Sequence, residues 1–133
     1  MGELQKMEEI NQDDRINLDH IPEKMSDITE ESIEKSITWL KNNIEKASEI
    51  RALRIYNEKF EKSMKAMCMK KHLDKTVAGQ EREALADPEY IEFLQLLKKS
   101  VQDDIKMTFI RETASVQLSY WQSKLKMQQS MNI

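Results

Sequence analysis

Residues 29–47 read TEESIEKSITWLKNNIEKA, and the placement of their apolar side chains decides the architecture. Ile33, Ile37, Leu40, Ile44 and Ala47 recur at intervals of four and three residues, the spacing that lines up one stripe along an α-helix and builds a coiled-coil seam. Thr29 is placed to cap the start, and Glu30 and Glu31 suit the positive end of the helix dipole. No Gly or Pro follows until Gly79, and Lys70, Lys71 and His72 suit the negative end. A single helix is therefore predicted over residues 30–72, about 60 Å long at 1.5 Å per residue.

Towards the C-terminus, residues 74–86 contain Gly79 and a short helical candidate over 80–85, and they read as a connection that reverses the chain. Asp87-Pro88-Glu89 is a strong helix start: a capping carboxylate, proline at the first helical position, then another acid. The second long helix is predicted from Pro88 to about Gln128. Two long helices joined by a turn predict an antiparallel hairpin. Towards the N-terminus, Leu4, Met7 and Ile10 suggest a short helix over 3–12, and Ile21-Pro22 marks an extended arm. The expected fold is all-α, with an acidic arm over 1–28 and a helical hairpin domain over 29–133.

Composition agrees, with two Gly and two Pro among 133 residues, 34% charged and 39% apolar. No run nears the ~20 apolar residues that cross a bilayer, the N-terminal residues lack a signal-peptide order, and a lone Cys68 fits a reducing compartment. A cytoplasmic protein without a membrane partner is expected. Charge is unevenly spread: acids outnumber bases 11 to 3 over residues 1–34, and bases outnumber acids 10 to 4 over 35–72. Such a basic block can meet a polyanion or the protein's own acidic arm.

If the 4-3 spacing continued past Ala47 it would meet Arg51, Arg54, Glu58 and Glu61, so the seam is expected to stop. Leu53, Tyr56, Phe60, Met64 and Met67 form a second stripe, about 180° round the helix. Arg51, Arg54, Lys62 and Lys65 then occupy the vacated side, and replacing them by Gln should leave the fold intact. The second helix also carries two stripes, Ile91 to Ile105 and Ile110 to Leu125. Two helices cannot cover all this surface, which predicts a homo-oligomer held by Ile33, Ile37, Leu40 and Ile44 with Leu118, Trp121 and Leu125.

No phosphate-binding loop, dinucleotide fingerprint, HExxH or nucleophile elbow occurs, so a binding protein rather than an enzyme is expected, with no cofactor. Cys68 and His72 lie four apart, but two ligands do not make a metal site; Cys68 reads as core and His72 as solvent-facing. The acid pairs Asp13-Asp14 and Asp103-Asp104 read as solvated. Arg51, Arg54, Lys59, Lys62, Lys65, Lys70 and Lys71, with Lys99, Lys106 and Lys124 on the second helix, can neutralise phosphates. Tyr56, Tyr120 and Trp121 can offer stacking faces to unpaired bases. Taken alone, such a helix is more often a solvated face than a nucleic-acid surface.

The opening Glu3-Leu4-Gln5-Lys6-Met7-Glu8-Glu9 with Asp14 and Ile16, the Trp39-Leu40 pair in a basic helix, and Leu85-Ala86-Asp87 before the final helix together resemble the UvsY-type recombination mediators of phages. That resemblance implies a coiled-coil-like oligomer that binds single-stranded DNA in the host cytoplasm and engages a recombinase or a single-strand-binding protein. The chain departs from the family at Thr76-Val77-Ala78-Gly79, where an aromatic-and-glycine turn is expected. The alternatives left open are a helical adaptor or scaffold that binds only protein, and an inhibitor that masks a DNA-binding protein through the acidic arm.

Overall fold

The computed structural model describes residues 17–132, so the short helix expected over 3–12 and the first part of the arm lie outside the described residues. Among the described residues there are four α-helices and no strand: α1 Glu30–Asn42, α2 Ile44–Met69, α3 Val77–Leu85 and α4 Pro88–Met131. Short 3₁₀ turns at Met25–Asp27 and Lys70–His72 precede α1 and follow α2.

The helix starts follow the expected chemistry. Thr29 caps α1 through a reciprocal pair in which Ser32 N–H donates to Thr29 Oγ1 at 3.2 Å and Thr29 N–H donates to Ser32 Oγ at 2.8 Å. Thr76 caps α3 through Gly79 N–H, which starts that helix three residues earlier than the sequence suggested. Asp87 accepts from Glu89 N–H at 2.9 Å and opens α4.

The predicted helix over 30–72 is interrupted at Asn43, and the cause is local. In an unbroken helix the Asn43 N–H would donate to the Trp39 carbonyl. Here the Asn43 side chain occupies that carbonyl at 2.7 Å, and its N–H turns to Leu40 O at 3.2 Å. A short amide side chain thus competes with its own backbone, and α2 restarts with Ala47 N–H on Asn43 O.

The chain divides into two compact units, residues 48–104 and residues 17–47 with 105–132. The division cuts across α2 and α4. In the first unit the buried cluster is Met64, Cys68, Ala84, Tyr90 and Phe93, with Phe60 and Met69 packed against it. Its α2 positions facing inward are Ile50, Arg54, Asn57, Glu61, Met64 and Cys68, at spacings of four and three. Contacts between α2 and α4 run in descending order: Glu61 with Tyr90, Phe60 with Phe93, Asn57 with Ser100, and Arg51 and Arg54 with Asp104, while Lys71 in the following turn meets Asp87 just ahead of α4.

So the seam does not stop; polar side chains carry it on. Asn57 is fully buried and donates to Ser100 Oγ at 3.2 Å, while its amide oxygen has no partner. Ser100 donates in turn to Leu97 O. Replacing Ser100 alone by Ala strands the Asn57 amide and should cost about 1–3 kcal/mol. Asn57→Leu with Ser100→Ala removes both polar groups and should be less destabilised than Ser100→Ala alone. Urea denaturation of the single and double variants checks the order.

In the second unit Ile28, Ile33, Met107 and Ile110 are buried, as are Ser36 and Gln117. The arm is tied down: the His20 ring stacks on Trp39 at 4.2 Å, Ser36 Oγ reaches His20 O, and Gln117 donates to Pro22 O. Burial holds His20 below the ordinary imidazole value. The inward positions of α1 and its C-cap are Ile33, Ser36, Leu40 and Asn43, so Ile37 and Ile44 are 53% and 60% exposed rather than on that seam.

Candidate nucleic-acid interface

Ten cations were expected to face a phosphate backbone, and the structure separates them into two groups. Four are engaged by carboxylates. Arg51 Nε lies 3.1 Å from Asp104 Oδ1 and Arg54 Nη1 lies 3.0 Å from Asp104 Oδ2, with the Asp104 side chain only 3% exposed. Lys71 contacts Asp87 at 2.9 Å and Glu89 at 3.5 Å, and Lys99 contacts Asp103 at 2.7 Å. Asp103 and Asp104 are therefore buried ion-pair partners, not the solvated acids that the sequence suggested.

The other group makes no ion pair with a described residue: Lys59, Lys62, Lys65 and Lys70 in the first unit, Lys106 and Lys124 in the second. Lys59, Lys62, Lys70 and Lys106 are exposed, and Lys65 and Lys124 are half-buried. At ~100° per residue, Ile55, Tyr56, Lys59 and Lys62 share an arc of about 120° on α2. The seam through Asn57 and Met64 occupies the inward side of the same helix. Tyr56 is exposed on this outer face, and its ring stacks on Phe60 at 5.7 Å. The face combines cations with an aromatic surface.

Of the residues expected at an oligomer interface, Ile33 is buried within its own unit, and Leu40, Leu118, Trp121 and Leu125 are half-buried. Cys68 is fully buried and burial raises its thiol above the usual range; His72 is half-buried. Among the described residues no group of three or more His, Cys, Asp or Glu side chains could hold a metal ion, and no helix is long and apolar enough to cross a membrane.

The connection between α2 and α4 is fixed by charge. Lys71 holds the Asp87 carboxyl below its ordinary value, and Asp87 raises Lys71 in return; Lys75 does the same to Glu83 at 2.8 Å. Tyr90 donates to the Glu61 carboxylate, which with burial pushes its phenol up to about 12. A depressed carboxyl contributes stability that is present above its unfolded value, about 4, and is lost as the pH falls through the folded one. Urea midpoints should therefore drop on acidification below about pH 4. Asp87→Asn, which keeps the helix cap, should make that drop smaller.

The residues missed in the sequence are Asn57, Ser100 and Asp104. For Asn57 the signal was the 3-4 spacing itself, which continues from Ile50 to Cys68 once polar side chains are allowed on it; for Ser100 and Asp104 there was none of that kind. No family model, curated protein or solved structure matches this chain.

Proposed function

We propose that the chain is a single-stranded DNA-binding accessory of recombination that works as an oligomer of helical hairpins in the cytoplasm, as the UvsY-type resemblance implies. One observation supports this reading most: Lys59, Lys62 and Lys65 on the length of α2 that exposes Tyr56, and Lys70 just past its end, have no acidic partner among the described residues. Lysines along a helix neutralise phosphates, and an aromatic face stacks a base without reading its identity. Several weak strips on one oligomer gain affinity by multivalency. A recombinase or single-strand-binding protein would then meet the protein on the same strand.

The test is fluorescence anisotropy of a labelled single-stranded oligonucleotide across a salt series. Replacing Lys59, Lys62, Lys65 and Lys70 by Gln should weaken binding and lower the slope of log affinity against log salt by ~0.7 for each lost contact. Circular dichroism should be unchanged, since none of the four takes part in an ion pair with a described residue. Wild-type protein that binds no oligonucleotide at low salt would sink the reading.

The second reading is a protein-only adaptor. It is favoured by exposed apolar side chains at Ile37 and Ile44 in one unit and at Leu73, Val77 and Leu85 in the other, and by the arginines being spent on Asp104.

A further inference from the structure

In the unit formed by residues 17–47 and 105–132, the arm and α4 enclose a groove of about 430 Å³. Ile28 forms its buried floor, Met25 stands on one wall, and Phe109, Val116 and Tyr120 stand on the other. Met25, Phe109 and Val116 are 60%, 61% and 69% exposed. An aromatic ring this exposed, beside an open apolar groove, is surface that a partner would bury.

The charges around the groove indicate which partner. Glu23, Lys24 and Glu112 line it, and no ion pair joins any of them to a described residue. Two carboxylates against one lysine disfavour a polyanion here. A surface bearing both signs around an apolar centre is complementary to itself: Lys24 of one copy can meet Glu112 of another, and the reverse.

The spacing along α4 has the same property. Placed antiparallel about a two-fold axis between Phe109 and Glu112, two copies of this helix set Ile105 opposite Val116 and Phe109 beside Glu112. Each copy then offers one knob, Phe109, and one hole, the groove between Met25 and Val116. Isologous pairing of this kind closes on itself at two copies.

We propose that this groove is a homodimer interface in which Phe109 of each copy enters the groove of the other. The proposal rests on the self-association contained in the functional reading and names a surface for it. It is separate from the seam residues Ile33, Ile37, Leu40 and Ile44.

Sedimentation or light scattering over micromolar to hundred-micromolar concentrations tests it, with no nucleic acid present, so oligonucleotide binding is judged separately by the salt series. Wild type should be heavier than one chain. Phe109→Asp, and Phe109→Ala as a milder second variant, should keep the helical circular dichroism because the ring is exposed, while weakening dimerisation by roughly tenfold or more. Lys24→Glu and Glu112→Lys should each weaken it by roughly threefold, and the double reversal should restore it. If wild type associates and both Phe109 variants associate equally well, this surface is overturned and self-association stands elsewhere. A wild-type monomer across the range overturns both.

Discussion

The double variant Arg51→Gln, Arg54→Gln should lose about 2–3 kcal/mol of stability, less than the ~3–5 kcal/mol that follows from stripping the partner from a fully buried pair. Both guanidinium groups reach Asp104, whose side chain is 3% exposed, from positions that are themselves 47% and 31% exposed. Solvent therefore screens part of the attraction, which is why the loss is smaller. The loss comes mainly from Asp104, left buried without a counter-charge. Adding Asp104→Asn removes that charge and should recover a large part of the stability. A pair contributing nothing would give a double variant indistinguishable from wild type in urea, and no rescue. For DNA work the consequence is practical: weaker binding by this variant would report unfolding rather than a lost phosphate contact.

Phe93→Ala should be the most damaging single truncation, at about 3–5 kcal/mol. The ring is fully buried and meets Phe60 edge-on, with centroids 5.7 Å apart and planes at 65°. Its neighbours come from three helices, since the cluster takes Met64 and Cys68 from α2, Ala84 from α3 and Tyr90 from α4. A cavity there loosens all three together, so Ala removes more than the transfer free energy of the ring. Phe93→Leu refills part of the space and should lose appreciably less. Thermal or urea unfolding of the two variants gives the comparison, and equal losses would mean that the site collapses around whatever it holds.

The helical class, the Thr29 cap and the Asp87-Pro88 start were legible because each depends on a few adjacent residues. The seam was not, and the reason is specific. A 3-4 repeat permits either residue 36 or 37, and either 43 or 44, and choosing the apolar member of each pair selects Ile37 and Ile44. The structure turns Ser36 and Asn43 inward instead. In the same way, Arg54 and Glu61 looked like the end of a stripe and Asn57 was not placed on one, whereas each is accommodated by a residue more than 25 positions away: Asp104, Tyr90 and Ser100. Pairing across such a separation leaves no trace in local periodicity. For the candidate site this had a direct cost, because the two arginines most prominent on the expected strip were the two already committed to Asp104.

Cys68 is the only sulfhydryl in the chain and has no exposed surface. An alkylating reagent meets it only when the packing of Met64, Ala84, Tyr90 and Phe93 comes apart, and burial further suppresses the reactive thiolate. The rate of modification in native buffer is thus a built-in clock for opening of this core. It reads residues 48–104 separately from the unit that holds the arm, with no engineered label.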